Sequence, residues 1–265
     1  MRVLSLLALL SLAPGAFAAA QAIAVPVRCA GACLARPRGG LTIDTVAVWA
    51  ILERGHATTY VSHRVRNDTD EWIDTAFFFP LPPGATLERT MVYGAGRLET
   101  YNEWSDSAQS RREADAIVRA TRGSPLRAYA GMNLVHVRVP SIAPHGTRQV
   151  QIGYTQPLRT QGGTVTYRYP LGARAAPPGE LTLRMTVETE TGFAGFHSPS
   201  HPVQVSWGTE TARCPPQARC GFMGVPSRRV KEVRLALRGA DDLTRDFVLV
   251  YTPAAPDGHD AEPLP

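Results

Sequence analysis

From Val61 to Leu98 the chain reads V-S-H-R-V-R-N-D-T-D-E-W-I-D-T-A-F-F-F-P-L-P-P-G-A-T-L-E-R-T-M-V-Y-G-A-G-R-L. In an extended strand, successive side chains point to opposite faces. Ala76, Phe78 and Pro80 therefore share one face and Phe77 and Phe79 the other, so this strand is apolar on both. Such a strand is central in a sheet or lies between two layers. Pro80, Pro82 and Pro83 remove backbone donors and end it, and Gly84 supplies a turn. A second strand follows through Leu87, Met91 and Tyr93, and it turns again at Gly94-Ala95-Gly96.

Before this stretch, Leu41 to Leu52 is β-branched and alternating, with Ile43, Ala47, Trp49 and Ile51 on one face. Gly55 permits a turn, and Ala57 to Arg66 returns as the second arm of a hairpin. Asn67-Asp68-Thr69-Asp70 is a turn cluster whose first three residues also match an N-glycosylation acceptor. Downstream strands are expected through Val135–Val139, Val150–Tyr154, Val165–Tyr169, Leu181–Val187, Val203–Trp207, Val230–Leu237 and Phe247–Tyr251. Between them lies one helical pattern near 105–121. Ser105 or Asp106 is its cap, Ala114, Ile117, Val118 and Thr121 its apolar stripe, and Gly123 and Pro125 its stop. The fold class that follows is mainly β: an antiparallel β-sandwich of about a dozen strands with one short amphipathic helix.

The start, M-R-V-L-S-L-L-A-L-L-S-L-A-P-G-A-F-A, has the charge, apolar run and small-residue site of a secretory signal peptide, residues 1–18, cleaved after Ala18 or Ala20. No later stretch is apolar enough for a transmembrane helix, so no span is expected once the signal is removed. Residues 19–40 read as an irregular cysteine-containing leader, and residues 253–265 as a flexible tail without core-forming side chains. In an exported chain, the four cysteines, Cys29, Cys33, Cys214 and Cys220, predict two disulfides. Two local loops are favoured because short loops close easily, with a bridge between the two ends as the alternative. A four-cysteine zinc site is disfavoured by the spacing and by the oxidising compartment. The formal charge is +5, and Lys231 is the only lysine, so the basicity is arginine. The polar face of the helix places Arg111, Arg112 and Arg119 together as a candidate surface for an anionic polymer or lipid.

Reactive constellations are sparse. There is no G-x-S-x-G elbow and no H-E-x-x-H. His197 and His201 stand four apart, but Pro199 between them forbids the helix that would pair them. His56 and His63 face opposite sides of one strand, and His136 sits among valines. Asp68, Asp70, Glu71 and Asp74 could offer oxygen ligands to calcium, though a solvated turn explains them as well. Nucleic-acid binding is disfavoured by export and by the lack of interleaved aromatic and basic residues. No catalytic residue, cofactor or metal ligand is assigned.

Asn67 after a hydrophobic strand, F-F-F-P-L-P-P-G-A, a strand, a short helix and a strand ending at Ile142-Ala143-Pro144 together resemble the VIT domain. That module opens inter-alpha-trypsin inhibitor heavy chains, a vault-associated protein and many bacterial secreted proteins. The likeness extends through Tyr154 and Pro157-Leu158, giving a VIT-like domain over 41–158. It continues in F-H-S-P-S-H-P-V (196–203) and D-F-V-L (246–249) through a further sandwich region, 159–252. Relatives usually continue into a von Willebrand type A domain, whose metal motif is not matched here; Asp106-Ser107-Ala108-Gln109-Ser110 has the wrong spacing. The chain is therefore expected to be either a stand-alone module or the front of a longer one. The resemblance implies a non-enzymatic interaction or scaffold module. Its partner would be another protein, a downstream domain or the envelope or matrix. The alternatives are a periplasmic or extracellular hydrolase with a loop-built site including His197 or His201, and a carbohydrate-binding sandwich using Trp72, Trp104 and Trp207.

Overall fold

A computed structural model describes residues 22–30, 32–35, 40–103, 112, 115–117, 119, 133–171, 180–189, 191–208, 229–237 and 245–255. Sixteen strands are found among them. The first seven are β1 (Ile23–Ala30), β2 (Ala32–Ala35), β3 (Leu41–Glu53), β4 (His56–Asn67), β5 (Ile73–Pro80), β6 (Thr86–Gly94) and β7 (Arg97–Glu103). Next come β8 (Leu134–Ile142), β9 (Thr147–Pro157), β10 (Arg159–Gln161), β11 (Thr164–Tyr169) and β12 (Glu180–Thr189). The last are β13 (Phe193–His197), β14 (Gln204–Gly208), β15 (Arg229–Leu237) and β16 (Phe247–Pro253).

The strands form one large sheet, β14-β15-β12-β3-β4-β9-β6-β7, and two small ones, β2-β1-β5-β8 and β10-β11-β16-β13. Both small sheets lie on the same face of the large one. His63 of β4 sits 5.0 Å from the Phe77 ring and 5.7 Å from the Phe79 ring of β5. Thr59, four residues back on the same face of β4, meets Tyr167 of β11 with its Oγ1 3.0 Å from the hydroxyl. Residues of all three sheets, among them Val61, Phe77, Ile152, Tyr167, Leu183 and Leu249, join one buried cluster.

Strand β5 behaves as its sequence predicts. Phe77, Phe78 and Phe79 are all essentially inaccessible to solvent. Phe77 and Phe79 face the large sheet, whereas Phe78 stacks on His136 of β8, ring centroids 5.0 Å apart, on the opposite face. Burying each phenylalanine is worth roughly 1.5–3 kcal/mol relative to exposing it. This strand is therefore the main tie between the layers.

Three expectations need correcting. Residues 23–30 and 32–35, which fall in the segment read as an irregular leader, are the paired antiparallel strands β1 and β2. Pro26 inside the I-A-V-P-V run made it look unlike a strand. It is tolerated because β2 pairs only with Val27–Ala30, so β1 beyond that point has an open edge opposite β5. The sheets are also not wholly antiparallel, because β12 runs parallel to β3, Leu181 opposite Val46 through Val187 opposite Leu52. The later region thereby joins the same sheet as the early hairpin. Finally, β13 and the short β10 lay outside the expected strands. Of the expected helix, Arg112, Asp115, Ala116, Ile117 and Arg119 are helical among the described residues. Ile117 is buried and Arg112, Asp115 and Arg119 are exposed, so its two faces differ as expected. No helix among the described residues is long and apolar enough to cross a membrane.

Candidate functional site: a clamped turn carrying Trp72

Where β4 leaves the large sheet for β5, the chain makes a turn at residues 68–72. Asn67, the last residue of β4, is fully buried and organises it. Its Nδ2 donates to the carbonyls of Glu71 (2.6 Å), Ala143 (3.0 Å) and Ile142 (3.1 Å). Its Oδ1 accepts from the Thr69 amide (2.9 Å) and the Thr69 hydroxyl (2.8 Å). Its backbone amide donates to the Gly146 carbonyl at 3.0 Å. Asp68 N donates to Gly40 O at 2.7 Å, and His145 N to Thr69 O at 3.3 Å. Two loops far apart in sequence are thus clamped by one amide side chain, which saturates its donors and acceptors. His145 closes the second loop with φ 53°, an unusual value for a residue other than glycine.

Asp68, Asp70 and Asp74 each have a local side-chain partner. Asp68 accepts from the Thr42 hydroxyl and, at 2.6 Å, from Arg66 Nε. The Thr42 bond is the largest influence holding the Asp68 carboxyl below its usual range, and Arg66 adds to it. Asp70 lies 2.9 Å from His145 Nε2, and Asp74 accepts from Ser141. Among the described residues no three His, Cys, Asp or Glu side chains converge in a way that could hold a metal ion. What the turn presents instead is Trp72. Trp72 is 63% exposed, the most open large hydrophobic residue among the described residues. Asp70 and Glu71 stand exposed beside it. The sequon at Asn67 is structural, because the amide nitrogen a glycan would need is buried and already donating.

The other candidate residues fall in separate places. His197 is exposed on β13, and His201 is buried in the bend after it, Nδ1 2.9 Å from Ser200 Oγ. They do not form a pair. His63 is buried, and desolvation lowers its pKa to about 3, so it is neutral between the layers. Thr59, Tyr154 and Tyr167 form a buried hydroxyl cluster in which Tyr154 makes no bond of good geometry. Burial drives the Tyr154 and Tyr167 hydroxyls above the usual tyrosine range, so both stay protonated. Arg112 and Arg119 are exposed on the helix, while Arg111 lies outside the described residues. The backbone register sets Cys29 opposite Cys33 between β1 and β2, whereas Cys214 and Cys220 lie outside the described residues, as does the expected signal peptide. Of the three tryptophans proposed for sugar binding, the side chains of Trp104 and Trp207 also fall outside. Sequence reading missed Asn67 as the hub. Its only local signal was an asparagine ending a strand before D-T-D, since two of its three carbonyl partners, Ile142 and Ala143, lie some 75 residues away.

Among the described residues, the best-defined surface feature of this layered β-protein is a turn held by side-chain hydrogen bonds. Residues 43–154 match the family model of the vault protein inter-alpha-trypsin domain, so this part of the chain is a VIT domain. Curated proteins give no match. Among solved structures, the chain is similar to a candidate nutrient-binding protein of Legionella pneumophila subsp. pneumophila. The TM-score is 0.44 at 10% identity, covering 89% of this chain and 72% of that one. It is also similar to a candidate protease of Parabacteroides distasonis, with TM-score 0.38 at 14% identity, covering 80% of this chain and 40% of that one.

Proposed function

We propose that this protein is an exported, non-enzymatic interaction module that touches another protein or the envelope matrix through the clamped turn at Trp72. The observation that carries this is the solvent-facing indole on a turn held by the five Asn67 side-chain bonds. A large amphipathic ring on a rigid support is the side chain that dominates protein contacts. Because the turn is already ordered, binding loses little conformational entropy. Asp70 and Glu71 favour a partner whose pocket for the indole has a cationic rim. The apolar N-terminal run with its Ala16-Phe17-Ala18 site supports export.

Replacing Trp72 by a photo-crosslinking phenylalanine analogue in the native host tests this. A discrete protein adduct should form that excess wild-type chain suppresses and excess Trp72→Ala chain does not. Equal suppression by both, or no discrete adduct, would refute the turn as the contact. A second contact is favoured by the exposed Arg112 and Arg119. They suit an anionic polymer, and retention on heparin should fall with salt and with their replacement by alanine. Unchanged retention removes that contact.

A further inference from the structure

The outer face of the large sheet, turned away from the small sheets, holds a cavity of about 300 Å³. Register builds its floor. Thr45 lies opposite Arg64, Arg64 opposite Gln149, and Gln149 opposite Tyr93. Four adjacent strands, β3, β4, β9 and β6, thus deliver one lateral row of side chains to the same face. Ala47 opposite Ser62 begins the next row. The β6–β7 turn adds a wall through Ala95 and Gly96, both at positive φ and both too small to fill the groove.

The groove offers hydroxyls, an amide, guanidinium groups and one aromatic ring. Gln149 Nε2 donates to Ser62 Oγ at 2.6 Å, which orients both side chains. Arg64 Nε donates to Asp44 Oδ1 at 2.7 Å, and this bond is the main reason its pKa is raised. Arg66 is bound to Asp68 at 2.6 Å. Arg148 lies 2.8 Å from Glu99, close enough for charge pairing although its Nε–H is off line for a hydrogen bond. Arg64, Arg66 and Arg148 thus each lie beside a carboxylate. An anion would have to compete with these carboxylates already in place. A neutral ligand carrying many hydroxyls has no such cost. Its hydroxyls can both donate and accept, as the lining does, and a flat C–H face can pack on Tyr93.

We propose that this groove binds a neutral, hydroxyl-rich pyranoside at the end of a β-linked saccharide. The equatorial substituents of such a sugar leave a flat C–H face for the ring and a hydroxyl edge for Arg64 and Gln149. The volume is at the lower end for small-molecule sites and suits one sugar ring, with the rest of the saccharide outside. So small and polar a site binds weakly, with Kd about 1 mM. The inference extends the interaction-module reading to a surface distinct from Trp72, and the two stand or fall separately.

The test is an amide NMR titration of the full chain with cellotriose and, in parallel, with glucuronate. Saturable shifts are expected at Ser62, Tyr93 and Gln149 with cellotriose, and glucuronate should bind at least about tenfold more weakly. Ala47→Trp fills an exposed floor position and should abolish the response. Arg64→Ala should weaken it about tenfold or more, with the rest of the spectrum unchanged as proof of folding. Trp72→Ala should leave it intact, whatever becomes of the crosslink. No saturable shift with cellotriose, glucuronate binding as tightly as cellotriose, or an unaffected Ala47→Trp variant would each overturn the proposal.

Discussion

Asn67 Nδ2 donates to the main-chain carbonyl of Ile142 at 3.1 Å, joining the end of β4 to the end of β8 across 75 residues of sequence. With its partner bonds to Glu71 and Ala143, this single amide holds both loops at that end of the sandwich. Asn67→Ala removes the donor, leaving the buried Ile142 carbonyl unpaired at a cost of about 1–3 kcal/mol, and it also breaks the part-buried bonds to Glu71, Ala143 and Thr69. A drop of about 3 kcal/mol or more in urea unfolding is expected, with the slope of the transition unchanged. A loss below about 1 kcal/mol would mean that water replaces the amide.

His63 predicts an acid-sensitive core. Its pKa is near 3 in the folded state against 6.5 for an unburied histidine, because burial disfavours the charged ring. Below about pH 6.5 the unfolded chain takes up a proton that the folded one does not, so stability falls as pH falls. The slope is about 1.4 kcal/mol per pH unit and continues until His63 itself titrates. His63→Leu should flatten that part of the profile between pH 6 and about 4. An unaltered slope in the variant would mean that other groups cause the acid loss.

Gly153 faces outward on β9, and its missing side chain makes room for a neighbour. A Cβ there would stand 2.9 Å from Tyr60 Cε1 and 3.2 Å from Arg89 Cγ. The space lets the Tyr60 ring stack against Trp49 at 5.7 Å while Arg89 lies over it at 5.6 Å. Gly153→Ala should displace the ring and cost about 1–3 kcal/mol. The Tyr60→Ala background should remove most of that penalty, which a double-mutant cycle in urea measures.

The Thr59–Tyr167 contact joins the large sheet to a small one. Tyr167→Phe keeps the packing but strands a buried threonine hydroxyl, so a loss of about 1–3 kcal/mol is expected by thermal unfolding. A neutral result would show that the hydroxyl finds another partner.

Much of this architecture can be read from the sequence, because period-2 alternation is a local signal. The two-faced apolar pattern at Ala76–Pro80 predicts burial on both sides, and His63 against Phe77 with His136 against Phe78 bears it out. The β3–β4 hairpin follows from alternation around Gly55. What could not be read is pairing at a distance. The parallel contact of β12 with β3 could not be read, because β12 (E-L-T-L-R-M-T-V-E-T) alternates as antiparallel strands do and lacks the continuous apolar run usual in parallel ones. The β1 strand was hidden by Pro26, whose cost depends on whether a neighbour needs its missing donor. At the candidate site the exposed acids were legible, but their partners were not, nor was Asn67 as a hub.

The most direct test of the account is backbone ¹⁵N relaxation across residues 66–74. A turn held by Asn67 should give order parameters near 0.85 at Glu71 and Trp72, equal to those of β4 and β5, while the indole remains open to solvent. Values below about 0.6 at those residues would show a flexible loop and contradict the rigid presentation of Trp72.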